Sequence, residues 1–312
     1  MTPLEIYYSS YSYLNKGDYK KGFDDFEYRW HPETTKHLKL TDDNIWKKLS
    51  KAPTWKGEDL FGKTIVVQME MGYGDCFMFY RYLPVLKAYG ARQVIVLQTK
   101  SLHNIVAQLN CVDLITNNEN APEVQNAHYW VGSMSLPHFV INGPSFIRNL
   151  FVTTKDEVFC KDGYIDAIPC ELPGKIKIGL NWQAASRGDL YEIKSISLEE
   201  ISKIQKEFPQ VTFYSFNPLE NGTFNKLSNE KWKEDWSETA RFMKSMDYII
   251  SVDTGTVHLA GALGVKTLML LPEEKHVCWR WKYDNWYSSI IKFENTNGIN
   301  NIIDFLKNNL GK

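Results

Sequence analysis

The chain has 312 residues, which sets a prior of about two domains and is enough to bury a core without disulfides or metals. Its 36 basic and 37 acidic side chains nearly cancel, for a net charge of −1. That balance argues against a protein held to nucleic acid or an anionic membrane by bulk charge, although it leaves a local basic patch open.

The five cysteines, Cys76, Cys111, Cys160, Cys170 and Cys278, are odd in number, and no pair has CxxC spacing. They point away from a disulfide framework or structural zinc and toward a reducing compartment. The N-terminus lacks a basic-then-apolar leader pattern, and no run of 18 apolar residues occurs. The most apolar stretch, Tyr248 to Pro272, is broken by Asp253, His258 and Lys266. A cytoplasmic protein without an integral membrane segment is expected. Aromatic residues make up 14% of the chain; most should be core, and an excess of Trp and Tyr also suits stacking on sugars or bases.

In chain order, residues 1–30 read as a helical pair. Tyr8, Tyr11 and Leu14 lie at helical spacing, Gly17-Asp18 makes a turn, and Phe23, Phe26 and Trp30 line a second helix. NKGDYKKGFDDFEYRW looks like one tetratricopeptide unit, and one unit cannot form a solenoid, so a helical cap is the simpler reading. Residues 31–61, with Pro32 and Pro53, read as a connector. The pattern then changes to alternating strands and helices: strand 63–69, helix from about Cys76 to Tyr89, strand 93–99, helix Leu102 to Leu109, and short strands at Val112 to Ile115 and His128 to Val131. Gly163, Pro169, Pro173 and Gly174 mark a linker over 153–175. The rhythm restarts with strand 175–182. A helix follows over Ser197 to Phe208, with Ser197 as N-cap and Glu200 at capping-box spacing. Strand 211–216, helix Glu238 to Met246, strand 248–252, helix Gly255 to Leu263, strand 265–271 and a terminal helix Asn300 to Leu310 complete the chain. The expected organisation is a helical cap and connector (1–50), an α/β domain (51–165), a second α/β domain (175–295) and a terminal helix (296–312).

Four segments carry chemistry. In the run from Ser251 to Gly264 an apolar strand enters Asp253-Thr254-Gly255-Thr256 and then a helix, with His258 one turn on. Free amides and the positive end of the helix dipole make such a turn a phosphate cradle; the alternative is that Asp253 or Thr254 merely caps the helix. Asp-Thr-Gly is also the aspartic-protease triplet, but that belongs to an all-β protein and needs two copies. In Gln68 to Asp75 a Gly-rich turn ends the first strand, where open α/β sheets bind ligands. It approaches a dinucleotide fingerprint, yet Phe77 stands at the third position, and Gln98 or Thr99 where a ribose-binding acid belongs. Asp75 is left as a general base or a plain N-cap. In Asn181-Trp182-Gln183-Ala184, with Arg187 and Lys194-Ser195 beyond, a loop cation would neutralise a diphosphate or be a solvated Lys. Cys278-Trp279-Arg280-Trp281 with Trp286-Tyr287 would form an aromatic wall for a base or phosphate, or interdomain packing.

Taken together and in order, these segments resemble the heptosyltransferase-like glycosyltransferases of family 9, closest to the branch fused to tetratricopeptide repeats. Gly72 to Pro84 matches that branch's G-(L/F)-G-D-x-(I/L)-x-F-x-R-Y-(L/V)-P, Met134-Ser-Leu-Pro137 its MSLP, Ser251 to Gly264 its SVDT-x-x-x-HLAGALG, and Trp279 to Tyr287 its WRW…WY ending. The resemblance implies a GT-B fold, two Rossmann-like domains facing a central cleft, behind the short helical cap. It implies an inverting transfer from a nucleotide sugar, used as co-substrate, with no metal or other cofactor. Asp75 would be the catalytic base. Lys194, Ser195, Asp253, Thr254, Gly255, Thr256 and His258 would hold the diphosphate. Gly72, Gly74, Trp182, Gln183, Arg280 and Trp281 would contact nucleotide or sugar, and Tyr73 and Ser135 would lie on the acceptor side. Lys194 stands where the branch has Arg, and Cys278 where Asp is common. The acceptor hydroxyl is left open among glycan, lipid-linked glycan, protein and modified base; nucleic acid is not favoured. A non-catalytic scaffold derived from such an enzyme, and an NAD-dependent oxidoreductase, are the competing readings.

Overall fold

The computed structural model describes residues 1–38, 50–151, 162–184, 190–217, 224–226, 234–282, 286–294 and 297–310. Cys160, Arg187 and the 153–161 part of the expected linker lie outside them. The chain divides into two compact units, Met1–Cys160 with Cys278–Trp286, and Lys161–Val277 with Tyr287–Lys312. Among the described residues no helix is long and apolar enough to cross a membrane.

The first unit opens with helices α1 (Pro3–Leu14) and α2 (Tyr19–Phe26). Thr2 and Glu5 form a reciprocal capping box on α1, with Pro3 in its first turn, and Asp18 caps α2. The two helices pack so closely that a Cβ on Gly22 would lie 2.7 Å from Leu14 Cγ. A 3-10 turn (Glu27–Trp30) and the short helix α3 (Pro32–His37) follow. Residues 53–55, expected as connector, are ordered against the sheet: Trp55 N and Trp130 O are 2.8 Å apart, and Trp130 N and Pro53 O 3.0 Å.

Strands β1 (Thr64–Gln68), β2 (Gln93–Leu97), β3 (Leu114–Thr116) and β4 (Tyr129–Gly132) form a parallel sheet in the order β3-β2-β1-β4. All five residues of β1 are buried, as an apolar β-branched run in a two-sided parallel sheet should be. The order reverses between β1 and β4, whose register pairs Gln68 with Gly132. The helix expected from Cys76 to Tyr89 is instead three pieces: α4 (Tyr73–Phe79), a 3-10 turn (Tyr80–Tyr82) and α5 (Pro84–Ala88). Pro84 has no amide hydrogen to continue the ladder and crowds the carbonyl one turn back. The helix predicted at Leu102 to Leu109 is a 3-10 turn and the single-turn α6 (His103–Val106). Helices α7 (Pro122–Gln125), α8 (Leu136–Asn142) and α9 (Ser145–Phe151) complete this part.

The second unit contains β5 (Lys177–Asn181), α10 (Leu190–Lys194), α11 (Leu198–Glu207), β6 (Thr212–Ser215), β7 (Asn225–Lys226), α12 (Trp236–Lys244), β8 (Tyr248–Val252), α13 (Gly255–Leu263) and β9 (Thr267–Leu270). The one-turn helix α14 (Trp279–Lys282) belongs to the first unit; β10 (Ile290–Phe293) and α15 (Gly298–Asn309) return to the second. Its parallel sheet runs β10-β9-β8-β5-β6-β7. Renumbered within the unit this is the doubly wound order 3-2-1-4-5-6, whose reversal point lies between its first and fourth strands, β5 and β8. Ser197 caps α11 as expected, but Glu200 pairs with Lys203. The apolar core gathers Ile178, Leu180, Ile250, Leu268 and the α15 residues Ile302 and Leu306. The described part of the expected linker is anchored here: Asp162 accepts from Ser288 and Ser289, and Cys170 exchanges hydrogen bonds with Ser245.

Candidate active site

In the second unit, Asn181 ends β5 and its register partner is Ser251 of β8. Two residues past β8 the chain turns directly into α13. Thr254 is the N-cap residue in extended conformation, yet no side chain caps the helix. The plain-cap reading of Asp253 or Thr254 is therefore replaced by other contacts. Asn181 Nδ2 donates to Thr254 Oγ1 and to Thr256 Oγ1, each at 2.8 Å. Both hydroxyl oxygens accept, so each keeps its own hydrogen for a second partner; for Thr254 that is the Val252 carbonyl at 3.4 Å. Asp253, 7% exposed, is engaged by Lys194 Nζ at 2.6 Å. One cation, two hydroxyls and the positive end of a nine-residue helix thus converge at the reversal point of the sheet, where open α/β folds bind ligands.

The neighbours of this turn are packed for rigidity. His258 is buried, and its Nδ1 lies 3.3 Å from the Tyr287 hydroxyl. The Tyr287 ring rests on Gly261, where a Cβ would come within 2.8 Å of Tyr287 Cδ2. Ser195 Oγ accepts from the Ala184 amide at 3.0 Å, tying the segment around Lys194 back to the end of β5. Gln183 Oε1 accepts from Asn217 Nδ2 at 3.1 Å. Trp182 is buried against Phe224, so it supports the site from the core.

In the first unit, Asp75 lies in the first turn of α4 and reaches back to the N-cap: Oδ2 accepts from the Gly72 amide at 3.2 Å. Its Oδ1 is ion-paired with Arg280 Nη2. Arg280 also stacks on Trp279, 4.8 Å from the ring centroid, and its Nη1 contacts Cys278 Sγ at 3.2 Å. The sequence reading assigned Arg280 and Trp281 to nucleotide or sugar; here Arg280 holds the candidate base and Trp281 is buried. The segment 278–286, grouped in the sequence with the second domain, packs with the first unit because its aromatic rings do: Trp279 lies 6.0 Å from Phe23 and 5.6 Å from Trp286, and Arg81 Nη1 donates to the Trp286 carbonyl at 2.7 Å. Tyr73 is 43% exposed, with Ser101 Oγ 3.4 Å from its hydroxyl. Ser135, expected beside it on the acceptor side, is 2% exposed and accepts from Arg29 Nη2 at 2.7 Å.

Sequence reasoning passed over Arg29 and Glu70. Both are fully buried and form a two-pronged pair, Nε to Oε1 at 3.0 Å and Nη2 to Oε2 at 3.1 Å. Burial pushes the Glu70 carboxyl up, against the pull of the Arg29 charge. Glu70 had a legible signal, a carboxylate two residues beyond a strand with an Ile-Val-Val centre.

The class of protein this defines is an α/β protein of two parallel, Rossmann-like sheets with an anion-suited helix start in its second unit. No family model matches the chain, and no curated protein matches its sequence. Solved structures do match. The family 9 glycosyl transferase from Veillonella parvula DSM 2008 aligns over 81% of this chain and 91% of its own, with TM-score 0.51 and 14% identity. ADP-heptose lps heptosyltransferase II of E. coli aligns over 79% and 98%, with TM-score 0.52 and 10% identity. The iron-containing dodecameric glycosyltransferase TibC from enterotoxigenic E. coli H10407 aligns over 82% and 78%, with TM-score 0.50 and 13% identity. At such identities the shared property is the fold.

Proposed function

We propose that the chain is a glycosyltransferase of the GT-B type that moves a sugar from a nucleoside-diphosphate sugar to an acceptor hydroxyl with inversion and without a metal. The observation that carries this reading is the uncapped start of α13 at the reversal point of the second sheet, with Asn181 orienting Thr254 and Thr256 and Lys194 stationed at Asp253. Free helix amides and a nearby ammonium stabilise the charge that builds on a departing diphosphate. Gly255 lets the phosphate approach the backbone, and Ser195, Asp253 and His258 keep the turn in shape.

Asp75 takes the acceptor proton. As the acceptor oxygen attacks the anomeric carbon, its O–H bond gives the proton to a carboxylate oxygen, the new C–O bond forms, and the bond to the diphosphate breaks with its electron pair on phosphate. Attack from the face opposite the leaving group inverts the anomeric centre. Gly72 and Gly74 flank Tyr73, which is exposed and offers the acceptor a stacking face.

A thermal-shift panel with ADP, GDP, UDP, CDP, dTDP and NAD tests the reading. Ligand at 100 times its Kd adds about 2.7 kcal/mol, which moves a melting midpoint by several degrees. A shift with a nucleoside diphosphate is expected, and ADP-heptose, the donor named for the E. coli neighbour, is the first sugar nucleotide to try for transfer. A shift with NAD alone would overturn the proposal.

A further inference from the structure

The reversal point of the first sheet, between β1 and β4, is where an open α/β sheet would bind a ligand, and here it is filled from within the chain. Arg29, on the 3-10 turn after α2, enters it and spends its guanidinium on five hydrogen bonds: to both oxygens of Glu70, to Ser135 Oγ, to the Phe26 carbonyl and to Glu27. Glu70 Oε2 also accepts from the Met134 amide at 2.9 Å, and Ser133 Oγ accepts from the Glu70 amide at 3.2 Å. The fit leaves no spare volume, since a Cβ on Gly132 would lie 2.8 Å from Glu70 Cδ and 2.9 Å from Trp30 Cζ2.

Glu70 is the last anchored residue before the turn that presents Asp75. Met71 follows with φ of +63°, a left-handed conformation that a non-glycine side chain adopts only where its surroundings impose it. Gly72 then caps α4 and binds Asp75 Oδ2, and Cys76 Sγ lies 3.8 Å from the Glu70 carbonyl. The turn is thus held at one end by Glu70 and at the other by Asp75.

We infer that Arg29 is a positioning residue: the N-terminal helical segment is a built-in part of the acceptor-side machinery, and Arg29, through Glu70, sets the turn that aims Asp75. This rests on the proposed role of Asp75 as base. A two-pronged guanidinium–carboxylate contact fixes angle as well as distance, which a Lys cannot reproduce.

The test uses the full chain with Arg29→Met, Arg29→Lys and Glu70→Gln. Transfer kinetics, nucleoside-diphosphate binding by calorimetry, and iodoacetamide modification of Cys76 read by peptide mass are measured for each. Arg29→Met is expected to melt cooperatively and bind nucleotide within about twofold of wild type. It should lose at least about tenfold in kcat, the scale of a misaimed catalytic group, and expose Cys76 to alkylation. Arg29→Lys should recover part of kcat. If Arg29→Met does not fold, Glu70→Gln, which is isosteric, is expected to show the same two changes and decides the matter. A folded variant with wild-type kcat overturns the inference, whether or not Cys76 is exposed. Absence of transfer by the wild-type chain with every sugar nucleotide would overturn the functional reading instead; Cys76 left protected in both Arg29→Met and Glu70→Gln would then overturn the positioning role on its own.

Discussion

Arg280 is ion-paired with Asp75 across 205 residues of sequence, while the other carboxylate oxygen of Asp75 accepts from the Gly72 amide. Both oxygens of the candidate base therefore have fixed partners, one local and one tertiary. The Asp75 and Arg280 side chains are 18% and 15% exposed, which leaves the carboxylate within reach of an acceptor hydroxyl. Asp75→Asn is expected to lower transfer by about 10²- to 10⁴-fold, the usual contribution of a general base, with nucleoside-diphosphate binding unchanged. Calorimetry and steady-state kinetics on the same sample check both halves of that expectation.

Arg280 itself separates two roles. If it steadies Asp75, Arg280→Met lowers kcat and leaves the donor KM near wild type. If it contacts the nucleotide, as the sequence reading had it, donor KM rises instead. The geometry favours the first outcome, and a donor titration of the variant decides.

Asn181 orients both hydroxyls at the head of α13. Asn181→Leu removes two hydrogen bonds of 2.8 Å, and a loss of about 1.4 kcal/mol, or tenfold in Kd for a nucleoside diphosphate, is expected. Lys194→Met should weaken binding further and flatten its dependence on salt, because the ammonium, still 21% exposed, acts in part through a screened field. An unchanged Kd in both variants would dismiss the cradle.

Gly261 is held at hydrogen by the ring of Tyr287, whose hydroxyl also meets His258. Gly261→Ala overpacks this contact and should destabilise the chain by about 1–3 kcal/mol, seen as a lower denaturation midpoint. Replacing the neighbouring Ala262, also buried, by Gly should cost about 1 kcal/mol in helix propensity and add the loss of a buried methyl.

Burial pushes the Cys76 thiol up to about 12. The native thiol stays protonated at pH 8 and should resist iodoacetamide, whereas the unfolded chain, with an ordinary thiol near pKa 8.5, should react readily. The sign for stability follows: above about pH 8.5 the unfolded state releases a proton that the native state keeps, so this contribution is full below that pH and falls away toward pH 12. Native-state alkylation of Cys76 at pH 8 as fast as in denaturant would contradict the burial.

Much of the fold was legible because parallel strands buried on both faces announce themselves. TIVVQ and YIISV can be little else, and Gly255 to Leu263 was bounded correctly by a threonine before it and Gly264, at φ +71°, after it. Short edge elements such as β7 and β10 were missed, since two to four residues carry no periodicity of their own. The split of the 76–89 helix was readable from Pro84.

For the site, local order in the chain determined the candidates whose chemistry depends on the backbone around them: Asp75 at a helix start, and Asp253 to Thr256 between a buried strand and a helix. Partners were another matter. That Arg29 belongs to Glu70, Arg280 to Asp75, Lys194 to Asp253 and Asn181 to Thr254 and Thr256 was decided by the tertiary structure alone. Strand order brings the ends of distant strands side by side, and a charge buried at such a junction must find its counter-charge wherever the packing has put it.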